Sequence, residues 1–137
     1  MSSRRRLLRS TVAILAGFIV VVVLSTATDI AMHASGVYPA MGQGMSDSLW
    51  LLATAYRVLY AIAGGYLTAR LAPDRPVAHA IVLGTIGIVM CTLGVVLTWD
   101  KGPDFGPKWY GLGLYLTTIP CTWLGAILFA KSRIVKT

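Results

Sequence analysis

Four long apolar stretches alternate with short polar ones along the chain. They cover about residues 11–34, 47–72, 77–99 and 109–130. Helices rise ~1.5 Å per residue, so about 20 apolar residues cross a bilayer core. Each stretch is long enough. The pattern therefore predicts an all-α integral membrane protein, a single domain (1–137) built as a bundle of four transmembrane helices. Short basic tails, 1–10 and 131–137, are expected to flank it.

The breaks carry the residues that end helices. Residues 35–46 hold Gly36, Pro39, Gly42 and Gly44, and read as a loop. Its Val37, Tyr38, Met41 and Met45 suggest that it lies on the membrane surface or folds back over the bundle. Ser46 or Asp47 is a plausible N-cap for the second span. Pro73-Asp74-Arg75-Pro76 ends that span and starts the next, because proline cannot continue a helix interior but suits a first turn. Residues 100–108 form a second Gly/Pro-rich loop, and Pro120 is expected to break or bend the fourth span.

Charge orients the bundle. Nine of the twelve Lys and Arg fall in the N-tail, the 70–75 turn and the C-tail; Lys101 and Lys108 fall on the other side. The basic side is cytoplasmic by the positive-inside rule. Both termini are thus expected inside a bacterial inner membrane, with both Gly/Pro-rich loops outside. Trp50, Trp99, Trp109 and Tyr110 then form an outer aromatic belt. A rival reading takes Ser3-Arg4-Arg5-Arg6 as the start of a twin-arginine export signal, with cleavage near Ser25-Thr26-Ala27. Against it, the helical pattern continues through Thr28, Asp29 and His33.

Composition agrees with the membrane class. The chain is 56% hydrophobic and 12% charged, with mean hydropathy +0.72, whereas soluble domains carry about 25% charged residues. Net charge is +7, but the basic residues cluster at span ends, so nucleic acid is not an expected partner. The expected partners are the lipid bilayer and a second copy or another membrane protein. Cys91 and Cys121 lie inside apolar segments with no metal or redox spacing. No cofactor and no metal are expected.

Helices in lipid pack through small residues. Gly64 and Gly65 in the second span, Gly84, Gly87 and Gly94 in the third, and Gly125 in the fourth are the expected packing positions.

The chemistry concentrates on one residue. Arg57 lies near the middle of the second span, where an unpaired arginine costs roughly 2.5–3.5 kcal/mol on insertion scales. On the first span Ser25, Asp29 and His33 share a face at i, i+4 and i+8. Asp29 lies about 7 Å, and Arg57 about 13 Å, from the outer ends of their spans at ~1.5 Å per residue. Cβ bonds tilt toward helix N-termini, so the two side chains lean toward each other. An Asp29–Arg57 pair is therefore expected, with Tyr56, Tyr60 or His33 completing its hydrogen bonds. Such a pair either fixes the register of two helices or lines an outward-facing cavity for an anionic or proton-carrying ligand. Tyr38, Gln43 and Asp47 are placed to close that cavity.

His79 sits at the inner start of the third span and reads as a boundary group. No GxSxG or HExxH motif is present. The sequence thus points to a non-enzymatic protein, either a structural or accessory subunit or a small-ligand binder at the Asp29/Arg57 cluster. A small oligomeric transporter or channel for a solute or protons is the alternative. A membrane enzyme using Asp29 and His33 is the third.

Overall fold

The computed structural model describes residues 2–136 as four helices: α1 (Ser3–Ala34), α2 (Asp47–Leu71), α3 (Pro76–Thr98) and α4 (Lys108–Ile134), with one 3-10 turn at Pro103–Phe105. Met1 and Thr137, in the two expected tails, lie outside the described residues. By length and composition α1, α3 and the stretch Pro103–Ile134 can each cross a membrane, with mean hydropathies of 2.5, 2.5 and 1.6 over an apolar stretch of 18 residues in each. α2 does not reach that apolarity, because every membrane-length stretch of it contains Arg57.

The expected N-terminal tail is instead the first two turns of α1. Ser2 caps the helix, accepting from the Arg5 amide at 3.4 Å. Arg6 pairs with Asp74 at 3.1 Å, and Ser10 meets His79 Nε2 at 2.8 Å. These contacts tie the extension to the α2–α3 turn. In that turn Arg75 has φ 40, the one non-glycine positive φ among the described residues. It is held between Pro73 and Pro76, and Pro76 occupies the first turn of α3.

Of the two outcomes expected at Pro120, the break is not seen: α4 continues through it. Proline offers no N–H to the Leu116 carbonyl. In the turn before it, Thr117 and Thr118 hydroxyls donate to the Leu114 carbonyl at 3.2 and 2.6 Å.

Helix directions follow from the contacts. Ser10 against His79 and Gly17 against Leu83 make α1 and α3 parallel. Gly64 beside Gly17, and Tyr60 bonded to Thr28, make α2 antiparallel to α1. Gly84 against Thr122 and Val95 against Gly111 make α4 antiparallel to α3. α2 and α4 are thus parallel, and they share the most extensive interface of the fold. α2 touches each of the other three helices. One end of the bundle holds the basic starts of α1 and α3; the other holds the two Gly/Pro-rich loops.

Glycine sets the closest approaches. A Cβ at Gly65 would lie 2.7 Å from Thr122 Cα, and one at Gly125 would lie 2.6 Å from the Tyr66 amide nitrogen. Gly64 would meet the Gly17 carbonyl at 3.1 Å, Gly84 would meet Ile119 Cα at 3.1 Å, and Gly87 would meet Thr118 Cγ2 at 2.5 Å. Gly94 differs from the sequence expectation: a Cβ there meets nothing within 4 Å. It borders a cavity between α3 and α4 that Val95, Gly111 and Leu114 also line. Gly17 and the fully buried Ala13 are the packing residues of α1 that the sequence reading passed over. Their four-residue spacing was the available signal.

Candidate functional site

Near the loop end, α1, α2, α4 and the 35–46 loop converge on one polar cluster. Asp29 of α1 accepts from both the Tyr56 hydroxyl and Arg57 Nη2 of α2. Arg57 Nη1 also donates to the Tyr56 hydroxyl at 3.2 Å. That hydroxyl also accepts from the Tyr38 O–H of the loop, at 3.1 Å. A charged pair removed from water keeps its charges only when the remaining lone pairs are also satisfied. Tyr56 does this for Asp29, and its own oxygen is satisfied from two sides.

Aromatic rings enclose the guanidinium. Arg57 Cζ lies 5.2 Å from the Tyr56 ring centroid and 5.9 Å from that of Tyr110 on α4, within cation–π range. Trp50 of α2 packs against Tyr110 with ring centroids 4.7 Å apart and planes tilted by 50°. Gly106, with φ 102, brings the second loop onto the Trp50 ring; a Cβ there would lie 3.1 Å from it. Asp47 Oδ1 accepts from Trp109 Nε1 at 3.2 Å, which joins the starts of α2 and α4.

The sequence-nominated residues divide as follows. Asp29, Tyr56 and Arg57 bond directly to one another. His33 stands one turn beyond Asp29; its Nδ1 bonds the Pro39 carbonyl at 2.7 Å, and its ring meets Tyr38 edge-on at 5.3 Å. It holds the loop and makes no bond to the ion pair. Tyr60 bonds Thr28 Oγ1 at 2.7 Å and packs against the Tyr56 ring, one turn away from the pair. Of the three loop groups expected to close the site, Tyr38 does so and is buried. Gln43 is exposed away from it, and Asp47 is bound to Trp109. Tyr110 was missed as a site residue: at a span end it reads as a belt aromatic, and only α4's packing beside α2 puts it over Arg57.

Two cavities meet at the ion pair. The outer one, ≈ 280 Å³, is lined by His33, Tyr38, Trp50 and Tyr110 together with Asp29 and Arg57. The inner one, ≈ 310 Å³, lies between all four helices and is also lined by Asp29 and Arg57. Ser25, Asp29 and His33, the i, i+4, i+8 face of α1, thus line in turn the inner cavity, the boundary and the outer cavity. Trp50 Nε1 is buried with no hydrogen-bond partner among the described residues. A buried donor without a partner costs about 1–3 kcal/mol, and this one belongs to a residue that lines the outer cavity.

Among the described residues no three His, Cys, Asp or Glu lie close enough to hold a metal ion. Cys91 and Cys121 are free thiols, and Cys91 lies 3.8 Å from Thr118 Oγ1. His79 caps no site and bonds Ser10 and the Arg75 carbonyl. Compared with protein-family models, curated proteins and solved structures, the chain matches none.

Proposed function

We propose that this is a multi-pass membrane protein of four crossings, with both termini on the cytoplasmic side of a bacterial inner membrane, that binds a small ligand at the Asp29/Arg57 cluster. The carrying observation is that this pair is the common wall of two cavities, one edged by hydrogen-bond donors and the other apolar. A pair that served helix register alone would need no space on either side of it. Asp29 has both carboxylate oxygens in hydrogen bonds, and His33 spends Nδ1 on the loop. Their arrangement favours holding a ligand over moving protons in a reaction.

Native mass spectrometry of the full chain, released from mild detergent, tests this reading. Wild type is expected to carry a bound small molecule. The double variant Asp29→Ala/Arg57→Ala, checked as monodisperse and helical, is expected to have lost it. An equally loaded double variant, or a bare wild type, would remove the proposal. Transport of the same ligand is a second reading, favoured by the presence of a cavity on each side of the pair. It requires flux in proteoliposomes that the double variant abolishes.

A further inference from the structure

We infer that the ligand is an uncharged-headed lipophile: its hydrogen-bond-accepting head sits at Arg57, and its apolar chain lies in the inner cavity, which it enters from the bilayer between α1 and α3. This rests on the reading of Arg57 as a ligand-binding group and adds the ligand's class and route.

The inner cavity suits a chain. Its ≈ 310 Å³ lies at the lower end of the roughly 300–1,000 Å³ typical of small-molecule sites. Its walls include Phe18, Val21, Val58, Leu83 and Leu114. The hydroxyls of Thr117, Thr118 and Thr122, which also line it, donate to carbonyls of their own helix at 2.6–3.2 Å. These three hydroxyls ask nothing of an occupant; the polar groups left on the wall include the Ser25 and Thr26 hydroxyls on the α1 side and Arg57 at the head end.

Charge selects the head. Asp29 and Arg57 are the acid and the strong base lining the two cavities, and they offset each other. A buried anionic head would find no surplus positive charge to offset its desolvation. An uncharged acceptor needs only donors. The bonds to Asp29 and Tyr56 use two of the five N–H groups of a guanidinium, and the Trp50 N–H is unpartnered.

The route follows from where α1 and α3 part. They meet at Ser10–His79 and at Gly17–Leu83, both toward the basic end, and the cavity lies beyond. Val22 of α1 and Met90 of α3 both line it and are 44% and 52% exposed, so it opens sideways onto the apolar surface of the bundle. Toward the loops the buried Tyr38 covers the cluster. The open side faces lipid and the capped side faces the loops.

The test uses the full chain in phosphatidylcholine nanodiscs and decanol carrying a terminal diazirine, photolysed and mapped by peptide mass spectrometry. Saturable labelling is expected in the segments containing Val22 and Met90, with plain decanol competing better than decanoic acid. Ala61→Phe, which puts bulk on the cavity wall, and Val22→Phe at its mouth are each expected to weaken labelling by about tenfold, equivalent to ~1.4 kcal/mol. Leu59→Phe, on the exposed face of α2, is expected to leave it unchanged. Asp29→Ala/Arg57→Ala is expected to weaken it as well. Labelling that never saturates, or that ignores both cavity variants, overturns the chain assignment. Better competition by decanoic acid, or labelling that survives loss of the ion pair, overturns the head assignment. If no labelling occurs while native mass spectrometry still finds an ion-pair-dependent ligand, this inference fails and the proposed function stands.

Discussion

Gly65 of α2 and Gly125 of α4 face each other with no room for a side chain on either. A Cβ on Gly125 would lie 2.6 Å from the Tyr66 amide nitrogen and 3.0 Å from the Gly65 carbonyl carbon. The obstructing atoms are backbone and cannot swing aside. Gly125→Ala is therefore expected to lower stability by about 1–3 kcal/mol, the range for overpacking, seen as a lower unfolding temperature in detergent. Gly94→Ala is the matched control. With nothing within 4 Å of its Cβ position, it is expected to leave stability unchanged or raise it slightly, since alanine is the better helix former. Equal losses at both positions would show that helix packing does not distinguish them.

The ion pair should behave asymmetrically under substitution. Removing one member of a fully buried pair costs about 3–5 kcal/mol. The Arg57 and Asp29 side chains keep 24% and 30% exposure, so the cost here is expected at or below the lower end of that range. Asp29→Ala leaves a guanidinium without its counter-charge and should be the more damaging single change. Arg57→Ala leaves a carboxylate that still accepts from Tyr56. The double variant should recover part of the single losses in chemical denaturation, a coupling that a double-mutant cycle reads directly. Additive losses would mean that the two charges act independently.

How much of this was legible in the sequence depends on the kind of signal. Helix positions followed from hydrophobic runs and proline breaks, and α2, α3 and α4 begin within a residue or so of the expected points. The Asp29–Arg57 pairing followed from one cost and one geometric rule: an arginine in an apolar run needs a partner, and Cβ tilt on opposed helices brings these two together. Tyr38 was one of three polar loop-side groups expected to close the site, with Gln43 and Asp47; nothing in the sequence separated it from the other two.

What stayed hidden was lateral order. Periodicity gives each helix a face but not a neighbour. The sequence therefore could not show that the parallel helices α2 and α4 share the largest interface, and Tyr110 was invisible as a cover for Arg57. The helical continuation of the N-terminal basic segment was hidden for a different reason. Four arginines read as a basic tail, and the contacts of Arg6 with Asp74 in the α2–α3 turn and of Ser10 with His79 in α3 depend on how the helices are arranged.

The Tyr38 contact separates a bond from a cover. Tyr38→Phe removes the hydroxyl donated to Tyr56 at 3.1 Å and keeps the ring over the cluster. It is expected to cost about 1 kcal/mol, the net worth of a typical hydrogen bond. Tyr38→Ala removes the ring as well and should uncover the outer cavity. Hydrogen exchange across residues 35–46 is expected to rise modestly in the first variant and strongly in the second. Matching profiles would place the whole effect in the hydroxyl.

At the basic end the expectation is a small effect. The Arg6 and Asp74 side chains are 62% and 37% exposed, and surface pairs are worth about 0–1 kcal/mol and weaken with salt. Asp74→Asn is expected to shift the unfolding temperature little at low salt and not at all at high salt. A large, salt-independent loss would mean that the α1 extension depends on this pair rather than on the Ser10–His79 bond beside it.

The crossing of α2 is the sharpest test of the membrane architecture. At 25 residues it is about 37 Å long at 1.5 Å per residue, enough to cross, yet Arg57 keeps it below the apolarity of its neighbours. Its charge is offset by Asp29 and enclosed by Tyr56 and Tyr110, so the helix need not expose it to lipid. Reporter fusions after Gly42, after Asp74, after Gly102 and at the C-terminus should therefore alternate: outside, inside, outside, inside. In an otherwise cysteine-free background, Gln43→Cys should react with an impermeant thiol reagent in intact cells, and Asp74→Cys should react only after permeabilisation. Asp74 and Gln43 found on one side would leave α2 lying in or beside the membrane. Arg57 would then need no partner in the apolar core, and the ion pair would lose the energetic reason given for it.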